Sequence, residues 1–429
     1  MTVAGAPPDA AAGRAADARL FGLLACLYFA QGLPSGLLGK ALPTLLREHG
    51  VSLSAIGFTA LLATPWALKF LWAPFVDRFG TRRQWLLALN TLTLALMLLL
   101  ASRDIGDWIG NLLLPFMLVL FLVNLTAATQ DIATDGLAVS RLTPRLRGPG
   151  NSVQVIGYKI GMVIGGGVLL VLVDRHGWSL SYGALSLLII GVLLPLLFMR
   201  EPPRDVVAAT HVRWHGMRGY LQLFRDFMRR PGLGWWLVAV AAFKLGDALA
   251  SRMIGPLLRD SGLSLTDIGV LTGVTGSVAG IAGALAGGLL LVRIGQRSAL
   301  LLFGALQAAG LLGYLWVVDG LPSLPVLYLI VCCEQFADGL STVALFTAMM
   351  EVCRRASPGT DYTLQASLQV TLAGLATLAS GVVADALGYG AVFVAGAALT
   401  LLALVPVWLS FARRQATVAA VPAETGRAG

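Results

Sequence analysis

Long apolar runs separated by short polar interruptions dominate the chain. About 20 apolar residues suffice to cross the hydrocarbon of a bilayer as a helix. Twelve such runs occupy residues 20–41, 53–74, 85–101, 112–139, 152–173, 179–199, 235–258, 267–290, 297–318, 324–350, 363–385 and 389–412. The pattern predicts an all-α, polytopic membrane protein with twelve transmembrane helices in two six-helix bundles. The one long polar interruption divides it into an N-terminal bundle over residues 1–199, a linker over 200–234, and a C-terminal bundle with its tail over 235–429. In that linker Tyr220, Leu221, Leu223, Phe224 and Phe227 alternate with Arg218, Arg225, Arg229 and Arg230, after Trp214 and the Glu201-Pro202-Pro203-Arg204 turn. The alternation predicts an amphipathic helix against the membrane surface.

The two halves repeat one another. Leu45-Leu46-Arg47-Glu48-His49-Gly50-Val51-Ser52-Leu53-Ser54-Ala55-Ile56-Gly57 returns as Leu257-Leu258-Arg259-Asp260-Ser261-Gly262-Leu263-Ser264-Leu265-Thr266-Asp267-Ile268-Gly269. Arg147-Gly148-Pro149-Gly150 corresponds to Ala356-Ser357-Pro358-Gly359, and Asp174 to Asp385. Glycines four apart, as in Gly157, Gly161 and Gly165 or Gly283 and Gly287, predict close helix packing.

Composition agrees: hydrophobic residues make up 57% of the chain, charged ones 12%, and the mean hydropathy is +0.79, too apolar for a soluble domain. The net charge of +9 is distributed by topology rather than as a nucleic-acid patch. Arg78, Arg82, Arg83, Arg141, Arg145, Arg147 and the linker arginines crowd the termini and even-numbered loops. The opposite loops hold Arg47, Arg103, Arg175 and Arg259. The positive-inside rule then puts both termini in the cytoplasm. The first span is long and lacks an evident cleavage site, so it is expected to stay as a helix. Cys26, Cys332, Cys333 and Cys353 lack metal-ligand spacing and read as packing residues. His211 and His215 could form an i,i+4 metal pair, but with no carboxylate or cysteine nearby they read as part of a solvated linker. No metal or cofactor is expected.

The chemistry lies in charges inside the spans. Isolated charges are costly at bilayer depth and usually mark a partner, a cavity or a transport path. The first half carries Lys40, Lys69, Asp131, Asp135 and Lys159, the second Lys244, Asp247, Arg252, Glu334 and Asp338, balanced overall. Asp131 and Asp135 share one helix face, as do Glu334 and Asp338, because i and i+4 are neighbours. Acids held between burial and a cation suit proton binding and release. Asp135 either locks Arg78 or Arg82 or takes part in coupling. Lys40 and Lys69 either snorkel to water or face the interior, and Lys159, Lys244 and Arg252 either pair with the acids or meet an anionic substrate. Glu351 with Arg354 and Arg355 reads as a surface cluster. Tyr28, Gln31, Trp66 and Gln130 are candidate cavity residues. Pro34 interrupts the first span, and Pro65 and Pro74 flank Lys69 on the second; their freed backbone groups serve either a ligand or neighbouring helices.

Ala73-Pro74-Phe75-Val76-Asp77-Arg78-Phe79-Gly80-Thr81-Arg82-Arg83 resembles the loop 2–3 signature of the major facilitator superfamily, with Ala73 for the usual leading glycine. The parallel duplication is also the plan of that superfamily, whose substrate site lies between the halves. The resemblance implies a cytoplasmic gate at Asp77, Arg78 and Arg82. Tyr28-Phe29-Ala30-Gln31-Gly32-Leu33-Pro34, Pro65-Trp66-Ala67-Leu68-Lys69 and Gln130-Asp131-Ile132-Ala133-Thr134-Asp135-Gly136 are similar to the branch holding AmpG muropeptide permeases and RhtX/FptX siderophore importers. Asp135-Gly136-Leu137 and only twelve spans are more similar to the siderophore importers. The implied function is proton-driven import of a siderophore or iron–siderophore complex across the bacterial inner membrane by a monomer, with protons and a small molecule as ligands. The alternatives are a muropeptide permease or an exporter of drugs or metabolites. An enzyme is not expected: the histidines, at 49, 176, 211 and 215, lie in loops without an evident catalytic partner.

Overall fold

The computed structural model describes residues 8–50, 59–199, 201, 216–230 and 232–419. Every regular element among them is helical. Ten helices are long and apolar enough to cross a membrane among the described residues. One of these, within the continuous helical run Pro358–Ala419, is broken at Gly388, whose φ of 81° suits glycine, and so supplies two spans. The second span is carried by short pieces that fall below that length. All twelve expected spans therefore have a counterpart.

We number them in chain order. Helix α1 runs Pro8–Gly36 and continues through Leu37–Ala41 and Leu42–Glu48. Helix α2 comprises Thr59–Ala63, Thr64–Leu68, Lys69–Leu71 and Ala73–Arg78. Then come α3 (Arg82–Ala101), α4 (Leu113–Arg141), α5 (Pro144–Val163, Ile164–Val168 and Leu169–His176) and α6 (Trp178–Leu197). Helix α7 is in three pieces, Leu233–Phe243, Leu245–Ser251 and Ile254–Asp260. It is followed by α8 (Leu265–Ile268, Gly269–Thr275 and Gly276–Ile294), α9 (Gln296–Gly313 and Leu315–Val318) and α10 (Leu324–Val352). Residues 358–387 form α11 and residues 389–419 form α12.

Contacts divide the chain into two units: Met1–Ala209 with Cys353–Thr363, and Thr210–Val352 with Leu364–Gly429. Inside each unit, packing relies on backbones meeting without side chains between them, as expected where lipid removes most hydrophobic drive. A Cβ at Gly161 of α5 would lie 2.2 Å from the Phe29 carbonyl oxygen of α1, and one at Gly283 of α8 would lie 2.0 Å from that of Phe336 on α10. The repeat extends to its ends. Gly50 (φ 77°) and Gly262 (φ 98°) occupy matching positions after α1 and α7, and Leu45, Leu46, Leu257 and Leu258 before them are all buried. The faces turned outward are apolar: Leu378 is 75% exposed and Leu387 72%, which fits surroundings of lipid rather than water.

Two expectations change. Pro34 lies inside Pro8–Gly36 without ending it, because Gly32 and Gly36 on either side are pressed against α5; the irregular turn comes later, at Leu37–Ala41. The linker helix is present as Gly216–Met228, with Leu223 and Phe227 buried. The loop 51–58, Pro202–Arg204, Trp214, His211 and His215 lie outside the described residues, as do the side chains of Lys40, Arg47 and Arg218. Among the described residues no cluster of ligands could hold a metal ion. Cys26, Cys332 and Cys353 are partly buried, whereas Cys333 is exposed on α10 and packs less than expected.

Candidate functional site

In the first unit the acids of α4 meet α1 and α2. Lys69 sits where α2 changes from α-helical to a tighter 3₁₀ turn, a local twist that directs its side chain inward. It is 2% exposed and forms an ion pair with Asp131, which removes the snorkelling alternative. Its ammonium also lies 5.1 Å from the centre of the Trp66 ring. The tryptophans flanking it are pinned to α4: Trp66 Nε1 donates to Asn124 Oδ1 at 3.3 Å, and Trp72 Nε1 to Thr129 Oγ1 at 3.1 Å. One turn along, Asp135, 1% exposed, accepts from the Tyr28 hydroxyl at 2.7 Å, so its donor comes from α1 rather than from Arg78 or Arg82. Gln31 Nε2 donates to Thr134 Oγ1 at 3.0 Å, and Gln130 Nε2 to the Leu27 carbonyl at 3.4 Å. Tyr28, Gln31 and Gln130 thus form a buried polar seam joining α1 to α4, while Trp66 remains half-buried.

Tyr362 joins the same cluster and was not singled out from the sequence. It belongs to the Cys353–Thr363 segment of the first unit, is 1% exposed, and lies within electrostatic reach of Asp135 and Asp131. Two carboxylates and one ammonium share this space with the phenols of Tyr28 and Tyr362, a formal charge of −1 when both acids are ionised.

The same segment holds a latch. Asp77 accepts from Thr360 N at 2.6 Å, Thr360 Oγ1 at 2.8 Å and Gly359 N at 3.3 Å, with Arg82 at 3.8 Å. These donors form the amino-terminal end of α11, where the helix dipole favours an anion. A Cβ on Gly136, next to Asp135, would come within 3.3 Å of Gly359 Cα, so α4 and the latch are in direct contact. Arg78 is exposed, its guanidinium 5.8 Å from the Phe79 ring centre. Arg354 holds Asp361 through Nε at 2.8 Å and Nη2 at 2.6 Å.

The second unit has its own pair. Lys244, at the first break of α7, lies 2.8 Å from Asp338 Oδ1, 3.1 Å from Gln307 Oε1 and 2.7 Å from Ser341 Oγ. Glu334, one turn before Asp338, is fully buried, accepts from Gln335 Nε2 at 2.9 Å, and lies in electrostatic reach of Tyr314. Asp247 is partly buried on the middle piece of α7, Arg252 is exposed at its second break, and Lys159 is partly exposed on α5.

The family model described as Major Facilitator Superfamily matches residues 24–375. The chain belongs to that superfamily. A relative from Escherichia coli (strain K12), the anhydromuropeptide permease, is 30% identical over 355 residues, spanning 81% of this chain and 70% of its own length. The fold is that of solved facilitators: a bacterial homologue of the iron transporter ferroportin in an outward-facing state (TM-score 0.70, 15% identity, covering 92% of this chain and 100% of that one) and the proton:xylose symporter XylE (TM-score 0.71, 14% identity, covering 91% and 94%). Facilitators are multi-pass membrane transporters rather than enzymes, and that is the class of this chain.

Proposed function

We propose that this facilitator is a monomeric proton-coupled importer of anhydromuropeptides in the bacterial inner membrane, with both termini in the cytoplasm. The carrying observation is the Lys69–Asp131–Asp135–Tyr28 cluster. Two acids and one ammonium in a dry interior are one proton short of neutral, and low dielectric penalises that residual charge. Taking up a proton neutralises it; losing the proton leaves a charge that drives rearrangement. Glu334 and Asp338 with Lys244 form a second acid pair, along the substrate path with Asp247, Arg252 and Lys159. The relatedness to the Escherichia coli permease supports the substrate class.

In this reading Asp77 and Arg82 gate the cytoplasmic side by holding the start of α11, and Tyr362 joins that gate to the acids. A charged hydrogen bond is worth about 1.5–3 kcal/mol, so Asp77→Asn should shift the latched population roughly ten- to a hundred-fold. Cysteine accessibility at the start of α11 checks this; an unchanged labelling rate contradicts the gate.

Siderophore import is the second reading, favoured by the Asp135-Gly136-Leu137 sequence in the last two turns of α4. Uptake of labelled anhydromuropeptide, with and without a protonophore and with iron–siderophore as competitor, separates the two. Gene-dependent, protonophore-sensitive uptake that only unlabelled anhydromuropeptide suppresses supports the proposal. Competition by the siderophore, or uptake of it alone, favours the second reading.

A further inference from the structure

The linker helix Gly216–Met228 belongs to the second unit, and that unit fixes which way it faces. Leu223 and Phe227, one turn apart, are buried, and Arg230 just beyond donates from Nη1 to the carbonyl of Val352, the last residue of α10, at 2.5 Å. Protein therefore takes up one side of the apolar arc that the linker's alternation assigns to the membrane. Turning about 100° per residue places the rest. Leu221 and Met228, seven residues apart, share a second side and are 58% and 52% exposed. Phe224, partly buried with its ring centre 5.2 Å from that of Tyr220, lies between the two apolar sides. Next round the helix, adjoining Leu221 and Met228, come Arg225 and Arg229, both exposed. The Arg229 N–H donates to the Arg225 carbonyl at 3.0 Å, which keeps the two arginines on one helical face. Asp226, the one acid of the helix, lies beyond them and faces away from the open stripe.

Neighbouring residues set the level of this stripe. Gly232 (φ 76°) turns the chain directly into α7, where Trp235 is partly exposed in the first turn and Val238 is 50% exposed about one turn further. Trp236 meets Phe411 of α12 with ring centres 6.5 Å apart. About one turn before Phe411, Trp408 is 48% exposed, with the Arg297 guanidinium 5.7 Å from its ring centre. Partly exposed tryptophans where an apolar outer surface begins mark the headgroup region of a bilayer. The linker helix thus runs into a span at that level, with an apolar stripe and a cationic row side by side. A leaflet with anionic headgroups matches both: the stripe reaches the acyl boundary while the arginines meet the headgroups. A zwitterionic headgroup would set a cation beside every phosphate the arginines approach.

We propose that Leu221, Met228, Arg225 and Arg229 form a docking surface for an anionic lipid leaflet, on a helix already folded and held to the end of α10 by Leu223, Phe227 and Arg230. The contact with lipid is made by a different side of the helix from the one its most buried residues occupy. Only the cytoplasmic placement of this end comes from the functional reading above.

The test uses the full chain with Cys26, Cys332, Cys333 and Cys353 changed to serine, carrying either Leu221→Cys or Asp226→Cys, in nanodiscs of phosphatidylcholine with or without phosphatidylglycerol. A water-soluble maleimide should label the Leu221→Cys thiol more slowly when phosphatidylglycerol is present, and the Asp226→Cys thiol equally fast in both. A fluorophore on the Leu221→Cys thiol should be quenched by phosphatidylglycerol brominated near the glycerol. Arg225→Gln and Arg229→Gln, both at exposed positions, should each reduce the phosphatidylglycerol effect about five-fold. Several results would overturn the proposal: Leu221→Cys labelled as fast as Asp226→Cys, equal labelling of Leu221→Cys in the two nanodiscs, or arginine variants that leave the lipid effect unchanged. Labelling of Leu221→Cys that is equally slow in a lipid-free amphipathic polymer would also overturn it, by showing that protein covers the stripe. None of these readouts depends on transport, so a failed substrate assignment leaves the result interpretable.

Discussion

Both units bury a lysine against an aspartate one turn from a second acid, yet they surround the pair differently. In the first unit the Lys69 and Asp131 side chains are 3% and 9% exposed; in the second, those of Lys244 and Asp338 are 8% and 21% exposed. The first lysine has an aromatic face beside it, whereas the second has two further polar acceptors, Gln307 and Ser341. The lysines also come from non-equivalent helices, α2 and α7, so the pairs are not copies inherited with the duplication. Similar chemistry in unequal surroundings points to a division of labour. A dry pair punishes any imbalance of charge and suits the proton, while a wetter pair with spare polar groups suits contact with a ligand.

The largest expected difference follows from removing one charge. Asp131→Asn breaks the direct ion pair of Lys69 and leaves it only the more distant Asp135; the loss should approach about 3–5 kcal/mol, read as a lowered unfolding midpoint and lost proton-driven accumulation. Adding Lys69→Met should restore most of the stability without restoring accumulation. A double variant that accumulates substrate as wild type does would remove the cluster from the coupling mechanism.

Next comes Tyr28→Phe, which deletes the donor to Asp135 but keeps the ring. With Asp135 almost fully buried, the loss should be about 1.5–3 kcal/mol, and accumulation should fall more than downhill exchange. Equal loss in both assays would make the hydroxyl a packing contact.

Asp338→Asn in the second unit should be milder, about 1–2 kcal/mol, because Lys244 keeps Gln307 and Ser341 as acceptors. Its main effect should be a raised KM for uptake. A stability loss matching that of Asp131→Asn would show that the extra acceptors do not compensate and that the two pairs are equivalent.

The contrast between the units also marks what the sequence could reveal. The spans, the duplication and the acids of α4 and α10 were legible because hydrophobic length and i,i+4 spacing are local. The partners were not. Tyr28 and Asp135 are separated by 107 positions and Lys69 and Asp131 by 62, and only the broken α2 turns Lys69 inward. Near a span end, a lysine that snorkels and one that pairs have the same local sequence. Tyr362 escaped notice because its relevance depends on the Cys353–Thr363 segment packing with the first unit. The available signal was Asp361-Tyr362, an acid and a phenol opening an apolar helix.

The smallest predicted effect is the most discriminating for the comparison. Thr342 Oγ1 donates to Asp338 Oδ1 at 3.3 Å, a long bond to a carboxylate that Lys244 already engages at 2.8 Å. Thr342→Val keeps the shape and removes the hydroxyl. If the second pair reaches water, a solvent molecule replaces the lost donor and the change stays within about 0.5 kcal/mol, with uptake unaltered. A buried acceptor left without its donor costs about 1–3 kcal/mol instead. A loss of that size, comparable to Tyr28→Phe, would mean that Asp338 is as dry as Asp135 and would return the second pair to the proton path alongside the first.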